Sequence, residues 1–206
     1  MSEIKEARLQ KASSLVSKGF ASYAQSFRVS NTTNFLIQKF DYLENGQEED
    51  FSVSIAGRVL AKRVMGKIAF FTISDQEGQI QLYLDKRIIN FNLEKQKLLS
   101  FEDLKEIVDI GDWIGVYGTI KKTNKGELSI KVEKWEMLSK SLQPLPDKWH
   151  GLTDIEKRYR QRYLDLIVNP HSKNVFKTRA KCISFIRKWL DNRNFLEIET
   201  PILQSE

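Results

Sequence analysis

Residues 68–84 read IAFFTISDQEGQIQLYL. On either side of the turn at residues 76–78, every second residue is apolar and belongs to one face of the chain. A period of two predicts half-buried β-strands, and a glycine between two such runs predicts a hairpin. The same alternation recurs at residues 53–59 upstream and at 113–118 and 128–132 downstream. These segments together predict five strands.

The order of the segments predicts the kind of barrel. Residues 101–108, between the third and fourth strands, have the composition of a short helix. Three strands, a helix and two more strands is the order of an OB-fold, a five-stranded Greek-key barrel. We place this domain at residues 51–140 and a helical lead-in at residues 1–50.

The lead-in is expected to open with an amphipathic helix over residues 3–18. Its apolar positions fall near one face, at Ile4, Leu9, Ala12, Leu15 and Val16. Its lysines and arginines fall elsewhere. This basic side either contacts RNA or is an ordinary charged face in solvent.

Composition narrows the class of protein. The 206 residues are 41% hydrophobic and carry a net charge of +6, which favours a polyanionic partner such as RNA, DNA or a membrane surface, or else simply a lysine-rich soluble protein. Cys182 stands alone among apolar neighbours, so we expect a small core residue, no disulfide and no zinc site. His150 and His171 are far apart, and no metal site is expected. Without an apolar signal or a long apolar run, we expect a cytoplasmic protein with no membrane partner.

The last part of the chain changes from strands to helices. Prolines at 144 and 146 suggest a stiff linker over residues 141–152. A capping box at residues 153–156 is expected to open a helix that ends at Asn169-Pro170, and a second helix is expected at about 173–193. Residues 195–199 alternate as a strand. A helix and strand with nothing to pack on suggest that residues 153–206 are the truncated start of an α+β domain.

The candidate binding residues lie on the face of the barrel strands opposite the apolar face. One face is apolar, and the other holds residues that can stack or hydrogen-bond: Arg58, Phe70, Gln81, Tyr83, Glu127, Ser129 and Lys131. An exposed aromatic on an OB sheet is a stacking platform for an unpaired base. Gln81 can both donate to and accept from a uracil edge, Arg58 offers a fork of donors, and Glu127 accepts. Alternatively, Phe70 covers the barrel end or packs on the N-terminal segment, and OB-folds also bind DNA, sugars and proteins.

Residues 67–72 and 79–83 resemble the anticodon-binding OB domain of class IIb aminoacyl-tRNA synthetases, which charge tRNA with lysine, aspartate or asparagine. In that subclass a phenylalanine stacks on the middle anticodon uridine, an arginine and a glutamine hold its edge, and a glutamate helps to recognise the third base. The matching positions are Arg58, Phe70, Gln81 and Glu127.

Two later stretches make the resemblance more specific. Residues 145–152 and 156–166 resemble the lysine–tRNA ligases almost word for word. Residues 176–187 and 195–201 resemble class II motif 1, which in the family builds the homodimer interface. The resemblance therefore implies interface residues at Phe176, Ile183, Ile186, Leu190 and Pro201.

The resemblance implies that the full-length parent attaches lysine to tRNA(Lys), with recognition of a UUU-type anticodon, using ATP and Mg²⁺ as a homodimer. Motifs 2 and 3, which carry the ATP-binding arginines of the family, are not found in this sequence. No P-loop, GxGxxG or nucleophile–base pair replaces them. We therefore expect this chain alone to be catalytically inactive, with no catalytic residues and no bound cofactor.

Three hypotheses are open. The chain is a fragment of a lysine–tRNA ligase, a standalone tRNA-binding OB module that evolved from one, or an unrelated OB protein that binds single-stranded DNA. The stretch at residues 149–166 argues against the third, and the unpaired motif 1 segment argues against the second. The first is favoured.

Overall fold

The computed structural model describes residues 3–91, 93, 98–146 and 152–201. It divides into two compact units, Met1–Pro144 and Leu145–Glu206. Residues 147–151, which include His150 and much of the predicted linker, lie outside the described residues.

A closed barrel forms the centre of the first unit. Its strands are β1 (Glu48–Met65), β2 (Ile68–Ser74), β3 (Gln79–Asp85), β4 (Trp113–Lys122) and β5 (Leu128–Ser139). They follow one another around the barrel in the order β1-β2-β3-β5-β4. The β3–β5 pair is parallel and the other pairs are antiparallel. The predicted five-stranded OB-fold is confirmed, with β1 starting slightly earlier than expected.

The barrel is held together by the apolar face that the alternation predicts. Its largest buried side chains include Phe71, Leu82 and Trp135, each no more than 1% exposed. A short helix, α4 (Phe101–Ile107), lies between the third and fourth strands as expected. Two further helices, α2 (Thr33–Lys39) and α3 (Lys86–Phe91), lie beside the barrel.

Strand β1 contains a bulge that changes which residues face outward. Val59 pairs with Ile73, but Ala61 pairs with Thr72, so Leu60 is an extra residue. Because side chains alternate along a strand, one extra residue reverses their phase. Beyond the bulge, Arg63 points outward and is exposed.

The N-terminal helix, α1 (Glu3–Ser17), packs differently from the prediction. Ala12 and Leu15 are buried, but Ile4, Leu9 and Val16 are exposed, so the expected apolar face is wrong for these three residues. Cations attach the helix to the barrel unit instead. Arg8 Nη1 donates to the Ser141 carbonyl at 2.8 Å, Lys11 Nζ lies 2.6 Å from Asp109 Oδ1, and Lys18 pairs with Asp103. Much of the basic side is therefore engaged within the chain.

The second unit consists of α5 (Ile155–Arg160), α6 (Arg162–Val168) and α7 (Pro170–Asp191). Asp154, not Thr153, caps α5, because its side chain accepts from the Lys157 amide at 3.0 Å. The predicted single helix is interrupted at Gln161, and α7 begins at Pro170 rather than at 173. Proline is well suited to a first helical position, where no amide donor is needed.

The predicted strand at residues 195–199 is wrong, since these residues are irregular. A strand is stable only when its amides and carbonyls pair with a neighbour, and within the described part of the second unit there is no other strand. Arg187 Nε and Glu197 Oε1, 2.8 Å apart, form an exposed ion pair that links the segment to α7 only weakly. Cys182 is exposed on α7, so the expectation of a core cysteine is also wrong.

Candidate nucleic-acid interface

The outer face of β2 and β3 carries a pair of aromatic rings. Phe70 pairs in register with Tyr83, and the two ring centroids are 5.7 Å apart at an interplanar angle of 66°. Ala69 and Phe71, the neighbours of Phe70, are fully buried. Phe70 therefore lies outside the barrel core, half-buried, with Tyr83 supporting it edge-on.

Gln81 lies in the next row of the same face, paired with Thr72 on β2 and with Ser129 on β5. The Ser129 hydroxyl donates to Gln81 Oε1 at 2.9 Å, which orients the side-chain amide. Among the described residues no acceptor binds the Gln81 amide nitrogen, whose hydrogens therefore remain for a ligand.

Glu127 lies in the turn before β5, close to this row. Its amide donates to Thr123 Oγ1 at 3.1 Å, and its carbonyl lies 3.2 Å from Ser129 Oγ, so that it competes with Gln81 Oε1 for the single hydroxyl hydrogen of Ser129. The side chain is exposed, and its carboxylate has no partner within the described parts of the chain. The structure thus brings Phe70, Gln81 and Glu127 to one side of the barrel.

Arg58 does not join this group. It pairs with Ser74, four residues along β2 from Phe70, which corresponds to about 13 Å. Its Nη1 donates to the Gly111 carbonyl at 2.8 Å, and its guanidinium lies 5.4 Å from the Trp113 ring centroid. Burial lowers the pKa of Arg58, partly offset by Asp112. The arginine faces β4, away from the aromatic pair.

Arg63 lies beside Phe70 on the outer face, where the alternation predicts Arg58. It pairs directly with Phe70 across the β1–β2 ladder. A row of outward side chains therefore runs from Arg63 through Phe70 and Tyr83 to Lys131. The simple alternation of residues 53–59 would place Arg63 in the core. Beyond the bulge Lys62 takes the inward position instead, so a cation is inward in either phase and does not reveal the bulge.

Each of the two units matches a known protein family. Residues 53–138 match a family described as the OB-fold nucleic acid binding domain, and residues 154–206 match the tRNA synthetases class II (D, K and N). The chain is 96% identical over 206 residues to "Lysine--tRNA ligase" of Prochlorococcus marinus strain MIT 9301, covering 100% of this chain and 40% of the relative. For the same-named protein of Synechococcus sp. strain RCC307, the identity is 55%, with 100% and 39% covered.

The chain belongs to the lysine–tRNA ligase family. It spans about 40% of the length of the curated relatives it matches.

In this member of the lysine–tRNA ligase family, the segment that resembles motif 1 has exposed apolar side chains. Phe176, Ile183 and Ile186 are exposed on α7, Leu190 is half-buried, and Pro201 is exposed beyond the helix. Other apolar side chains of this unit are more exposed still, with Phe185 68% and Leu196 89% exposed. Phe176, Ile183, Ile186 and Leu190 lie along one side of α7 at helical spacing, which makes that side apolar.

A buried carboxylate holds the three helices of the second unit together. Asp165 accepts from Arg158 Nε at 2.8 Å, Asn169 Nδ2 at 2.7 Å and Ser172 Oγ at 3.1 Å, and it also pairs with Arg162. Burial alone would raise the pKa of Asp165, but the hydrogen bonds from Asn169, Arg158, Arg162 and Ser172 outweigh it and lower the pKa to about 2.

Membrane spans and metal sites are two features that the described residues lack. No helix there is long and apolar enough to cross a bilayer. Nor do three or more His, Cys, Asp or Glu side chains lie together as a metal site in that part of the chain.

Proposed function

We propose that the outer face around Phe70 binds the anticodon loop of a tRNA, and that this tRNA is the one for lysine. The observation that carries the proposal is the row Arg63–Phe70–Tyr83, with the amide of Gln81 in the next row. This arrangement sets a base-sized aromatic surface between a cation and a hydrogen-bonding group. The family of the chain supplies the choice of tRNA.

Each side chain has a distinct part in the proposal. The Phe70 ring stacks on an unpaired base, which contributes about 1–3 kcal/mol. Gln81, oriented by Ser129, donates its amide hydrogens to a carbonyl of a uracil. Glu127 accepts a base imino or amino hydrogen at the next position.

We infer that the arginine of this site is Arg63 and not Arg58. Arg63 is exposed and opposite Phe70, so its guanidinium can reach a base carbonyl or a phosphate at the stacked nucleotide. Arg58 already donates within the chain to the Gly111 carbonyl. Its contribution is to the stability of the barrel.

A titration of two RNA hairpins at one fixed salt concentration tests the proposal. Phe70→Ala should weaken binding to a hairpin with an unpaired UUU anticodon loop by about 1–3 kcal/mol, and should have little effect on a fully paired RNA. Arg63→Ala should weaken UUU-loop binding as well, and Arg58→Ala, in protein that remains folded, should not. Equal losses on both RNAs for Phe70→Ala would show that the ring only supports the fold.

We propose further that lysine attachment, with its ATP and Mg²⁺, belongs to the whole ligase and not to this chain alone. The chain spans about 40% of its relatives, and its sequence contains no counterpart of motifs 2 and 3. Lysine-dependent exchange of pyrophosphate into ATP by the purified 206-residue protein would contradict this.

We also propose that the apolar face of α7, including Phe176, Ile183 and Ile186, lies in the homodimer interface of the whole ligase, which we place in the cytoplasm. The exposure of that face and its resemblance to motif 1 support the proposal. Ile186→Lys in the full-length ligase should shift sedimentation toward the monomer. An unchanged dimer would place the interface elsewhere.

A further inference from the structure

The first residue of β1, Glu48, lies between two lysines, Lys121 on β4 and Lys131 on β5. Lys121 Nζ is 2.7 Å from Glu48 Oε1, and Lys131 Nζ is 2.6 Å from Glu48 Oε2. Hydrogen bonds from Lys121 and then Lys131 lower the pKa of Glu48, so the carboxylate is ionised at neutral pH. Each of its oxygens therefore engages one ammonium group.

Both lysines lie beside the proposed base-binding face. Lys131 pairs with Tyr83 and so continues the row that contains Phe70. Lys121 pairs with Ser129, in the row of Gln81, and its Nζ lies 4.8 Å from the Tyr83 ring centroid. An RNA strand whose base stacks on Phe70 therefore brings its backbone near these ammonium groups.

The Glu48 carboxylate occupies a position between two ammonium groups where a phosphate could bind instead. A phosphodiester, like a carboxylate, presents two anionic oxygens that can bind two ammonium groups at once. The Glu48 side chain is 41% exposed, and such exposed ion pairs are weak. Lys121 and Lys131 are only 22% and 28% exposed, so Glu48 is the most exposed member of the three and the one that an incoming anion would replace.

We propose that Lys121 and Lys131 form a binding site for a backbone phosphate of single-stranded RNA, and that Glu48 is a built-in competitor for that site. This proposal rests on the proposed function, because stacking of a base on Phe70 sets the side from which the RNA approaches. Glu48 reduces binding to any RNA that offers phosphate alone. An RNA that also stacks a base on Phe70 binds despite this competition.

The test compares Glu48→Gln with Glu49→Gln in the 206-residue protein. Both changes remove one negative charge from neighbouring positions, but Glu49 is exposed and has no ion-pair partner among the described residues. Affinity for the UUU-loop hairpin and for a fully paired RNA is measured over a series of salt concentrations, and thermal unfolding checks that each variant is folded.

Glu48→Gln should tighten binding to both RNAs by a similar factor, about 3–10-fold at low salt, because phosphates carry no sequence information. The salt dependence should steepen by about 0.7 in log–log slope for each additional phosphate that the lysines neutralise. Glu49→Gln should tighten binding clearly less. In a Lys121→Gln/Lys131→Gln background, Glu48→Gln should tighten binding no more than Glu49→Gln does.

Three results would overturn the proposal: equal tightening by the two variants, no tightening by Glu48→Gln, or weaker binding, which would show that Glu48 positions the lysines. The results also distinguish a failure of the phosphate-site proposal from a failure of the proposed anticodon function. A base-dependent loss for Phe70→Ala together with equal tightening by the two glutamate variants removes only the phosphate site. Strong tightening by Glu48→Gln without any base dependence removes the anticodon function and leaves a general phosphate site.

Discussion

The two units of the chain bury opposite kinds of side chain. The barrel unit buries Phe71, Leu82 and Trp135 and keeps most of its charges at the surface. In the second unit the buried side chains include Asp165 and Ser172, whereas Phe185 and Leu196 are exposed. The barrel is stabilised mainly by removal of apolar surface from water, and the helices of the second unit mainly by hydrogen bonds and charge. The two units should therefore respond differently to exchange, mutation and acid.

The largest expected difference is in amide hydrogen exchange. Amides of the barrel strands should open only with global unfolding, whereas amides of residues 176–190, on a helix with an exposed apolar face, should open locally. In a protein shown to be monomeric, we expect the strand amides to exchange at least about 1,000-fold more slowly. Equal protection of α7 would show that the second unit is stable by itself.

A matched pair of phenylalanine substitutions measures how much buried apolar surface contributes to each unit. Phe71→Ala removes a fully buried ring and should lower the free energy of unfolding of the barrel by about 3–5 kcal/mol. Phe185→Ala removes a ring that is 68% exposed and should change stability by no more than about 0.5 kcal/mol. Urea unfolding followed by tryptophan fluorescence measures both. A large loss for Phe185→Ala would mean that its ring is covered in solution.

Acid should affect the second unit through Asp165. Its pKa is lowered from 3.8 to about 2, so its contribution is fully present above about pH 4 and is lost as the pH falls through 2. The shift corresponds to about 2 kcal/mol. Exchange of α7 amides should accelerate between pH 4 and pH 2 beyond the intrinsic pH effect. Asp165→Asn, in which this pH dependence is absent, is the control.

The alternation of apolar residues was sufficient to predict the barrel, because each strand buries one face and its period of two is directly visible in the sequence. Phe70 and Gln81 could be placed on the outer face for the same reason. Arg63 could not, because a bulge at Leu60 reverses the phase without changing the composition of the strand. The face of α1 was missed because Arg8 and Lys11 bind acceptors that are distant in sequence, at Ser141 and Asp109.

The error at residues 195–199 has a different cause. Alternation shows that a segment is able to become a strand, but pairing depends on another segment, and the described part of the second unit has none to offer. Cys182 was misplaced for a related reason, since the apolar face of α7 predicts burial without specifying what covers it.

The bulge at Leu60 also affects how relatives of this chain are aligned. With Leu60 left unpaired, Arg63 lies beside Phe70 and Lys62 turns inward, where its Nζ donates to the Lys105 carbonyl at 2.6 Å and the Val108 carbonyl at 2.7 Å. A deletion of that one residue would remove the bulge but leave Ala61 opposite Thr72, so Arg63 would stay on the outer face and Lys62 would stay inward. A one-residue gap at this point in an alignment therefore preserves the outward residues, whereas a strand that kept Leu60 in regular pairing would place Lys62 opposite Phe70 and Arg63 in the core.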